Sequence, residues 1–394
     1  MILIEKPEII LTENKARLQA EFKIDDQTKL IWFEVDKKYC EYLCYERSDA
    51  FVIGVLNYAM RNGHDIICKA PIGEELYYQI TTYLIDAVYK GSKKLYRTKI
   101  NAEIDSTILT NANAVGTGIS CGIDSFHAIV NHYNSKFLKH NITHLAFNNV
   151  GSHGEGEKAV KLYNQRRILA INFAKEFKYE LVESDSNIHD EIPQNHLLTN
   201  TYTSCFAVYC LQKLYSSYYY SSAHSFLEFS LKDNERYDTA FYDLLTLSTF
   251  STKSLQIFSE GATLTRLEKT KKVAEFEPSY KYLNVCTKTA DNCNECEKCT
   301  RTLLALDAIG KLEPYKSVFN IEHYRKNKQK YLTDLIYYKL LKNINYVELY
   351  PLLKSQIKTI SKIKGFLKIP KSFIINKIPT NLKPYLKKIY YKFN

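Results

Sequence analysis

From Ala112 onward the chain repeats short apolar runs separated by longer amphipathic stretches, a pattern few architectures accommodate. Residues 114–119, 143–148, 179–183 and 217–223 read as strands, and about 125–133, 157–177 and 201–214 as helices. Strand starts recur about every 30–40 residues, close to one strand–helix–strand unit. Antiparallel strands are joined by tight turns, whereas parallel ones need a crossover of this length. The pattern therefore predicts an α/β fold with a doubly wound parallel sheet of the Rossmann-like kind. Such a sheet binds its ligand outside the carboxyl ends of its strands.

The flanking segments read differently. Residues 1–110 alternate apolar and polar at Ile9–Asn14 and Ala16–Ile24 but show helical spacing at Asp49–Met60 and Glu74–Tyr89, which predicts an N-terminal α+β domain. The formal charge of +11 is uneven: residues 315–394 hold 18 Lys plus Arg against three acids, or +15, leaving −4 for the rest. The expected division is thus 1–110, a core over 111–313, and a basic, Lys/Tyr-rich helical tail over 314–394. Prolines at 370, 379 and 384 punctuate that tail. It reads as short helices packed with their lysines outward, or as a surface for nucleic acid, anionic lipid or an acidic partner. No run approaches the roughly 18 apolar residues of a membrane span, and Met1–Glu8 lacks the basic start and apolar run of a signal peptide. A cytoplasmic protein without a transmembrane segment is expected.

A loop follows the first strand of the core and opens its first helix: Gly118-Ile119-Ser120-Cys121-Gly122-Ile123-Asp124-Ser125. Backbone N–H groups and the positive end of the helix converge there, which suits an anion. The hydroxyls of Ser120 and Ser125 can donate to phosphate oxygens, and Asp124 can hold Mg²⁺ against them. A Walker A loop is excluded because no lysine follows a suitable glycine. The dinucleotide fingerprint fails by one position, since Gly116, Gly118 and Gly122 give G-x-G-x-x-x-G. Gly118-x-Ser120-x-Gly122 has the spelling of a nucleophile elbow, so a serine hydrolase remains an alternative, as does an ordinary strand-to-helix turn.

Cys286-x6-Cys293-x2-Cys296-x2-Cys299 places four thiols on a short polar segment. In a reducing compartment, clustered thiols serve metals or redox work, and tetrahedral Zn²⁺ is the simplest occupant. An iron–sulfur cluster, disulfides and free thiols are the alternatives. The other six cysteines are dispersed and read as small buried residues. After Cys299, an apolar stripe through Leu303, Leu304 and Leu306 with a stop at Gly310 predicts an anchoring helix.

Ser120-Cys-Gly-Ile-Asp124-Ser125 resembles the S-G-G-x-D-S loop of the PP-loop ATP pyrophosphatases, departing from it at Cys121, where that family has glycine. The four cysteines behind such a loop are similar to the zinc site of the 7-cyano-7-deazaguanine synthases. The resemblance covers about residues 112–312. It implies an adenine-nucleotide α-hydrolase-like core that is a carbon–nitrogen ligase, with ATP and Mg²⁺ at residues 118–125 and a structural Zn²⁺. Ser120, Asp124 and Ser125 are then the expected catalytic residues, a carboxylate or amide the substrate, and ammonia or an amine the nitrogen donor. Relatives with added ends also occur in surface-polysaccharide and antiphage defence systems, so a sugar, protein or nucleic-acid target is the second reading. A non-catalytic, zinc-containing nucleic-acid binder is the third.

Arg266 and Lys269 are weaker candidates for a phosphate or acidic substrate, or else a solvated helix face. Asn148, Asn149, Gly151, Ser152 and His153 should follow the second core strand, and His224 the fourth, which puts them at the ligand edge. Arg166 and Arg167 read as surface charges within a helix.

Overall fold

The computed structural model describes residues 1–368 except 153, 155, 193 and 233–237. Its strands are β1 (Ile2–Ile4), β2 (Glu8–Leu11), β3 (Lys15–Ile24), β4 (Gln27–Asp36), β5 (Ile66–Cys68), β6 (Ile72–Gly73) and β7 (Ile100–Asn101), followed by β8 (Ile104–Asp105), β9 (Ala114–Gly118), β10 (His144–Asn149), β11 (Glu180–Ser186), β12 (Tyr215–Ser221) and β13 (Gln256–Glu260). Eleven form one mostly parallel sheet, ordered β13-β12-β9-β10-β11-β4-β3-β1-β5-β7 with β2 against β3, while β6 and β8 pair separately.

Within β9 to β13 every pairing is parallel. The chain moves outward from β9 through β10 to β11, then returns to the other side of β9 for β12 and β13. That reversal lies between β9 and β12, the place where open sheets of this kind bind ligands at their carboxyl edge. The four expected core strands are present, together with a fifth, β13. The last expected strand, 217–223, is Tyr215–Ser221, with a register shift between Tyr215 and Ser217. The expected helix at 201–214 is His196–Cys210, started by the Asn195 side chain accepting from Leu197 N at 3.0 Å.

The expected domain boundaries do not coincide with the compact units, which are residues 1–265 and 266–394. Residues 1–110 merge with the core for two reasons. The β3–β4 hairpin, turned through Asp25 at φ +52°, pairs antiparallel with β11 (Ser184 to Val35, Ser186 to Phe33), so one sheet runs through both segments. Helix Asp49–Asn62 also packs on helix His196–Cys210, with the Phe51 and Phe206 ring centroids 5.7 Å apart. Gly54 permits that approach, since a Cβ there would lie 3.1 Å from Phe206 Cδ2, and 2.6 Å from Ile188 Cδ1 in the preceding short helix. The second N-terminal helix runs from Glu74 to Gly91, with a π-helical turn at Ile80–Leu84.

The second unit joins the cysteine segment to much of the expected tail. Helices Glu297–Ala308, Ile321–Leu340, Ile344–Leu353 and Thr359–Leu367 enclose Leu303, Leu306, Tyr324, Tyr331, Leu335, Tyr346, Leu349 and Leu353. The expected boundary at 313/314 is absent because apolar residues on both sides of it fill this core. Among the described residues, no helix is long and apolar enough to cross a membrane.

Candidate functional site

The loop leaves the carboxyl end of β9 beside the strand-order reversal. Ile119 N donates to Ala146 O at 2.9 Å, extending the β9–β10 ladder by one residue and fixing where the chain departs. Cys121 then turns left-handed at φ +57°, and Gly122 caps helix Ile123–Asn131. Ser120 is exposed while Cys121 and Ser125 are buried. Ser120 Oγ donates to Ser125 Oγ (3.2 Å) and accepts from Gly122 N (3.3 Å), and Ser125 Oγ donates to Gly122 O at 3.1 Å. Both serine hydroxyls thus belong to the loop's own bond network. Asp124, half-buried, occupies the first turn, where N–H groups lack intrahelical acceptors. Burial pushes the Cys121 thiol well up, so it remains protonated and serves as packing.

The helix behind the loop is held at both ends. Phe126 packs edge-on against Phe173 with centroids 5.2 Å apart. At the other end, Glu260, the last residue of β13, meets His132 Nε2 at 2.9 Å, Asn131 Nδ2 at 3.1 Å and His127 Nδ1 at 3.6 Å. This mostly buried group of one carboxylate and two imidazoles fixes the helix that presents residues 120–125. Sequence reading missed it, because Asn131 and Glu260 are 129 positions apart and share no motif.

The other edge residues have structural partners. Asn149 donates to Asp185 at 2.8 Å, and Asn148 accepts from Ser184 at 2.7 Å, tying β10 to β11. Gly151 has φ +106°, and a Cβ there would lie 2.7 Å from His189 Nδ1. Ser152 follows in the turn, and His153 lies outside the described residues. His224, after β12, stands between Glu228 (3.1 Å) and Asp238 (3.7 Å) and stacks on Phe241 at 4.0 Å. Burial disfavours its charge, but the two carboxylates outweigh that and hold its pKa at about 9. With each ring nitrogen facing a carboxylate, His224 clamps the loop. Arg167 pairs with Glu183, and Arg166 is half-buried on the same helix.

In the second unit, the Sγ atoms of Cys286, Cys293, Cys296 and Cys299 all lie within 4.8 Å of one another. Cys286 to Cys296 and Cys293 to Cys299 are each 3.9 Å. One tetrahedral ion with Zn–S bonds of about 2.3 Å requires edges of about 3.8 Å, so the donor set can hold a metal ion and is consistent with zinc. A multi-iron cluster spreads its cysteines over separate irons and needs wider spacing. A disulfide needs about 2.0 Å. Two of the sulfurs receive hydrogen bonds that favour negative charge: Cys296 N donates to Cys293 Sγ at 3.2 Å, and Lys288 N (3.4 Å) and Thr289 Oγ1 (3.1 Å) reach Cys286 Sγ, whereas burial pushes the Cys296 and Cys299 thiols up. Burial raises the Cys286 thiol, but these donors outweigh it and bring it to about 6. Asn292 locks the loop, accepting from Val285 N (2.9 Å) and donating to Leu283 O (2.8 Å) and Val318 O (3.1 Å). No protein-family model, curated protein or solved structure matches this chain.

Arg266 and Lys269 share helix Arg266–Val273 in the second unit, whereas residues 118–125 belong to the first. Lys269 is buried. Arg266 and Arg301 line a cavity of about 10 Å³, room for one water and too small for a phosphate. In the first unit, Glu157, Val160, Lys161, Asn164, Gln165 and Ile168 line an open recess of about 550 Å³ along one helix, without any residue of the 118–125 loop.

Proposed function

We propose that residues 118–125 bind the β,γ-pyrophosphate of ATP and that the protein is an AMP- and pyrophosphate-forming ligase of the PP-loop type, acting on a carboxylate or amide. The carrying observation is the loop's conformation. Ser120-Cys-Gly-Ile-Asp124-Ser125 leaves the central strand of the parallel block beside the strand-order reversal, and it turns left-handed at Cys121, the position where the resembled motif has glycine. A glycine there is what a positive φ selects, so motif and geometry agree at the residue where this chain departs.

In this reading, N–H groups around Gly122 and the start of helix Ile123–Asn131 bind the two outer phosphates, and Asp124 holds Mg²⁺ beside them. Ser120 and Ser125 donate to phosphate oxygens after exchanging their mutual hydrogen bond for ligand. A substrate oxygen attacks the α-phosphorus, its O–P bond forms, and the α–β bridging bond breaks with its electron pair leaving on pyrophosphate. Ammonia or an amine then attacks the activated carbon, the C–O bond to the adenylate breaks, AMP departs and the nitrogen gives up a proton. The loop donors stabilise the charge that gathers on the departing pyrophosphate. Zinc at the four cysteines supplies folding stability, because four thiolates leave no open position for substrate.

The test is product analysis by thin-layer chromatography, with α-labelled ATP, Mg²⁺, ammonium and a panel of small carboxylates. AMP formation, lowered about a hundredfold or more in Asp124→Ala, supports the reading. Conversion of ATP to ADP contradicts it.

A further inference from the structure

Helix Thr359–Leu367 has two unlike faces. One carries Ser361 and Gly365, both buried against helix Ile321–Leu340, where a Cβ on Gly365 would stand 2.6 Å from Ile336 Cβ and 2.8 Å from Thr333 O. That contact leaves no freedom about which side turns inward. The outer face presents Ile360 and Ile363, 60% and 40% exposed. Exposed Lys358, Lys362 and Lys364 border them. Apolar side chains displayed to solvent within a lysine fringe are the reverse of what a solvated helix face selects.

Asp334 of helix Ile321–Leu340 pairs with Lys368, and the chain that carries this face adds only positive charge. No acidic residue follows Glu348, while residues 349–394 contain 11 lysines and no arginine. A partner must therefore be anionic and must also accept apolar side chains. Single-stranded nucleic acid is anionic, but proteins bind it by stacking bases on aromatic rings, and this face offers two isoleucines instead. A lipid surface meets both demands, since the acyl boundary takes the apolar face and anionic headgroups take the lysines.

We propose that the outer face of helix Thr359–Leu367 docks the protein on an anionic lipid surface, with Ile360 and Ile363 entering the headgroup–acyl boundary and Lys358, Lys362 and Lys364 meeting the headgroup charges. This docking is independent of the nucleotide chemistry and stands if that reading fails.

The experiment is co-sedimentation of the full chain with sucrose-loaded vesicles, either of phosphatidylcholine alone or with about one-third phosphatidylserine. Binding is expected only to the anionic vesicles. Each lysine near such a surface contributes roughly fivefold to partitioning, so K358Q/K362Q/K364Q should weaken binding about a hundredfold. I360S/I363S should weaken it about tenfold or more and leave the remainder more salt-sensitive. All five side chains are exposed, so unchanged circular dichroism and melting are expected and separate lost docking from lost fold. Equal partitioning into both vesicle types, no sedimentation with either, or a lysine variant that sediments like the parent overturns the proposal. Salt-steep oligonucleotide binding without vesicle binding overturns it too, and assigns the face to nucleic acid.

Discussion

Replacing Cys121 tests the loop's backbone directly. An L-residue held left-handed costs about 1–2 kcal/mol, which glycine avoids. Glycine in turn forfeits the buried CH₂–SH group, about 1.5 kcal/mol and more than the sulfur alone, and about 0.5–1 kcal/mol of backbone entropy. Cys121 is 1% exposed at φ +57°, so both sides of this balance apply in full. They nearly cancel, and Cys121→Gly should lie within about 1 kcal/mol of the parent. Cys121→Ala keeps the strain and loses the sulfur, for a loss of about 1 kcal/mol. Cys121→Val keeps the strain and adds a branched side chain to a filled site, for about 2–3 kcal/mol. Urea unfolding followed by circular dichroism measures the series, and in thermal melts 1 kcal/mol corresponds to about 2 °C for a unit of this size. The expected order is parent and glycine together, then alanine, then valine. A valine variant as stable as the parent beside a glycine variant down by about 3 kcal/mol would refute the left-handed assignment. Pyrophosphate binding should follow the same order, retained in Cys121→Gly and lost in Cys121→Val.

The four-sulfur site predicts about one zinc per chain by plasma mass spectrometry, with Zn–S distances of about 2.3 Å by X-ray absorption, and Cys293→Ser or Cys296→Ser should lose the metal together with the thermal transition of the second unit. His224 predicts alkaline weakening. Its folded pKa of about 9 lies above the ordinary 6.5, so its stabilisation is complete below about pH 6.5 and is lost as pH rises through 9, a swing of at most roughly 3 kcal/mol. Urea midpoints of the parent should fall toward those of His224→Gln across that range, and a constant gap to pH 10 contradicts this. Gly365→Ala forces a Cβ to 2.6 Å from Ile336 Cβ and should cost about 1–3 kcal/mol in the second unit's transition by calorimetry. Glu260→Ala, which leaves His127 and His132 without their shared carboxylate, should destabilise by about 1–3 kcal/mol in urea unfolding and weaken pyrophosphate binding through the helix it anchors.

The sequence was most legible where local chemistry decides structure. Short runs recurring about every 30–40 residues located β9 to β12, although β11 (ELVESDS) and β12 (YSSYYYS) are only half-buried, and the cysteine spacing located the four-sulfur site. Segments joined by distant pairing were not legible. β4 ends at Asp36, yet its neighbour β11 begins at Glu180, and nothing in residues 1–110 announces that their hairpin will extend a sheet built far downstream. β13 was missed because Gln256–Glu260 carries only two apolar residues, Ile257 and Phe258, too few to separate strand from loop. The tail read as short packed helices with lysines outward, but its union with the cysteine segment in one core was not legible for a similar reason. Its tyrosines look amphipathic in isolation, and only packing shows Tyr324, Tyr331 and Tyr346 to be core. Arg266 and Lys269 were attractive as charges near the cysteines in sequence, but sequence proximity carried no information about burial or about which unit they join.

The central claim is tested most directly by a crystal structure of the protein with Mg²⁺ and an ATP analogue that resists cleavage between the α- and β-phosphates. The account predicts the β- and γ-phosphates within hydrogen-bonding distance of the N–H groups of residues 120–125, with Mg²⁺ on Asp124. A nucleotide bound elsewhere, or loop N–H groups that contact no phosphate at saturating analogue, would contradict it.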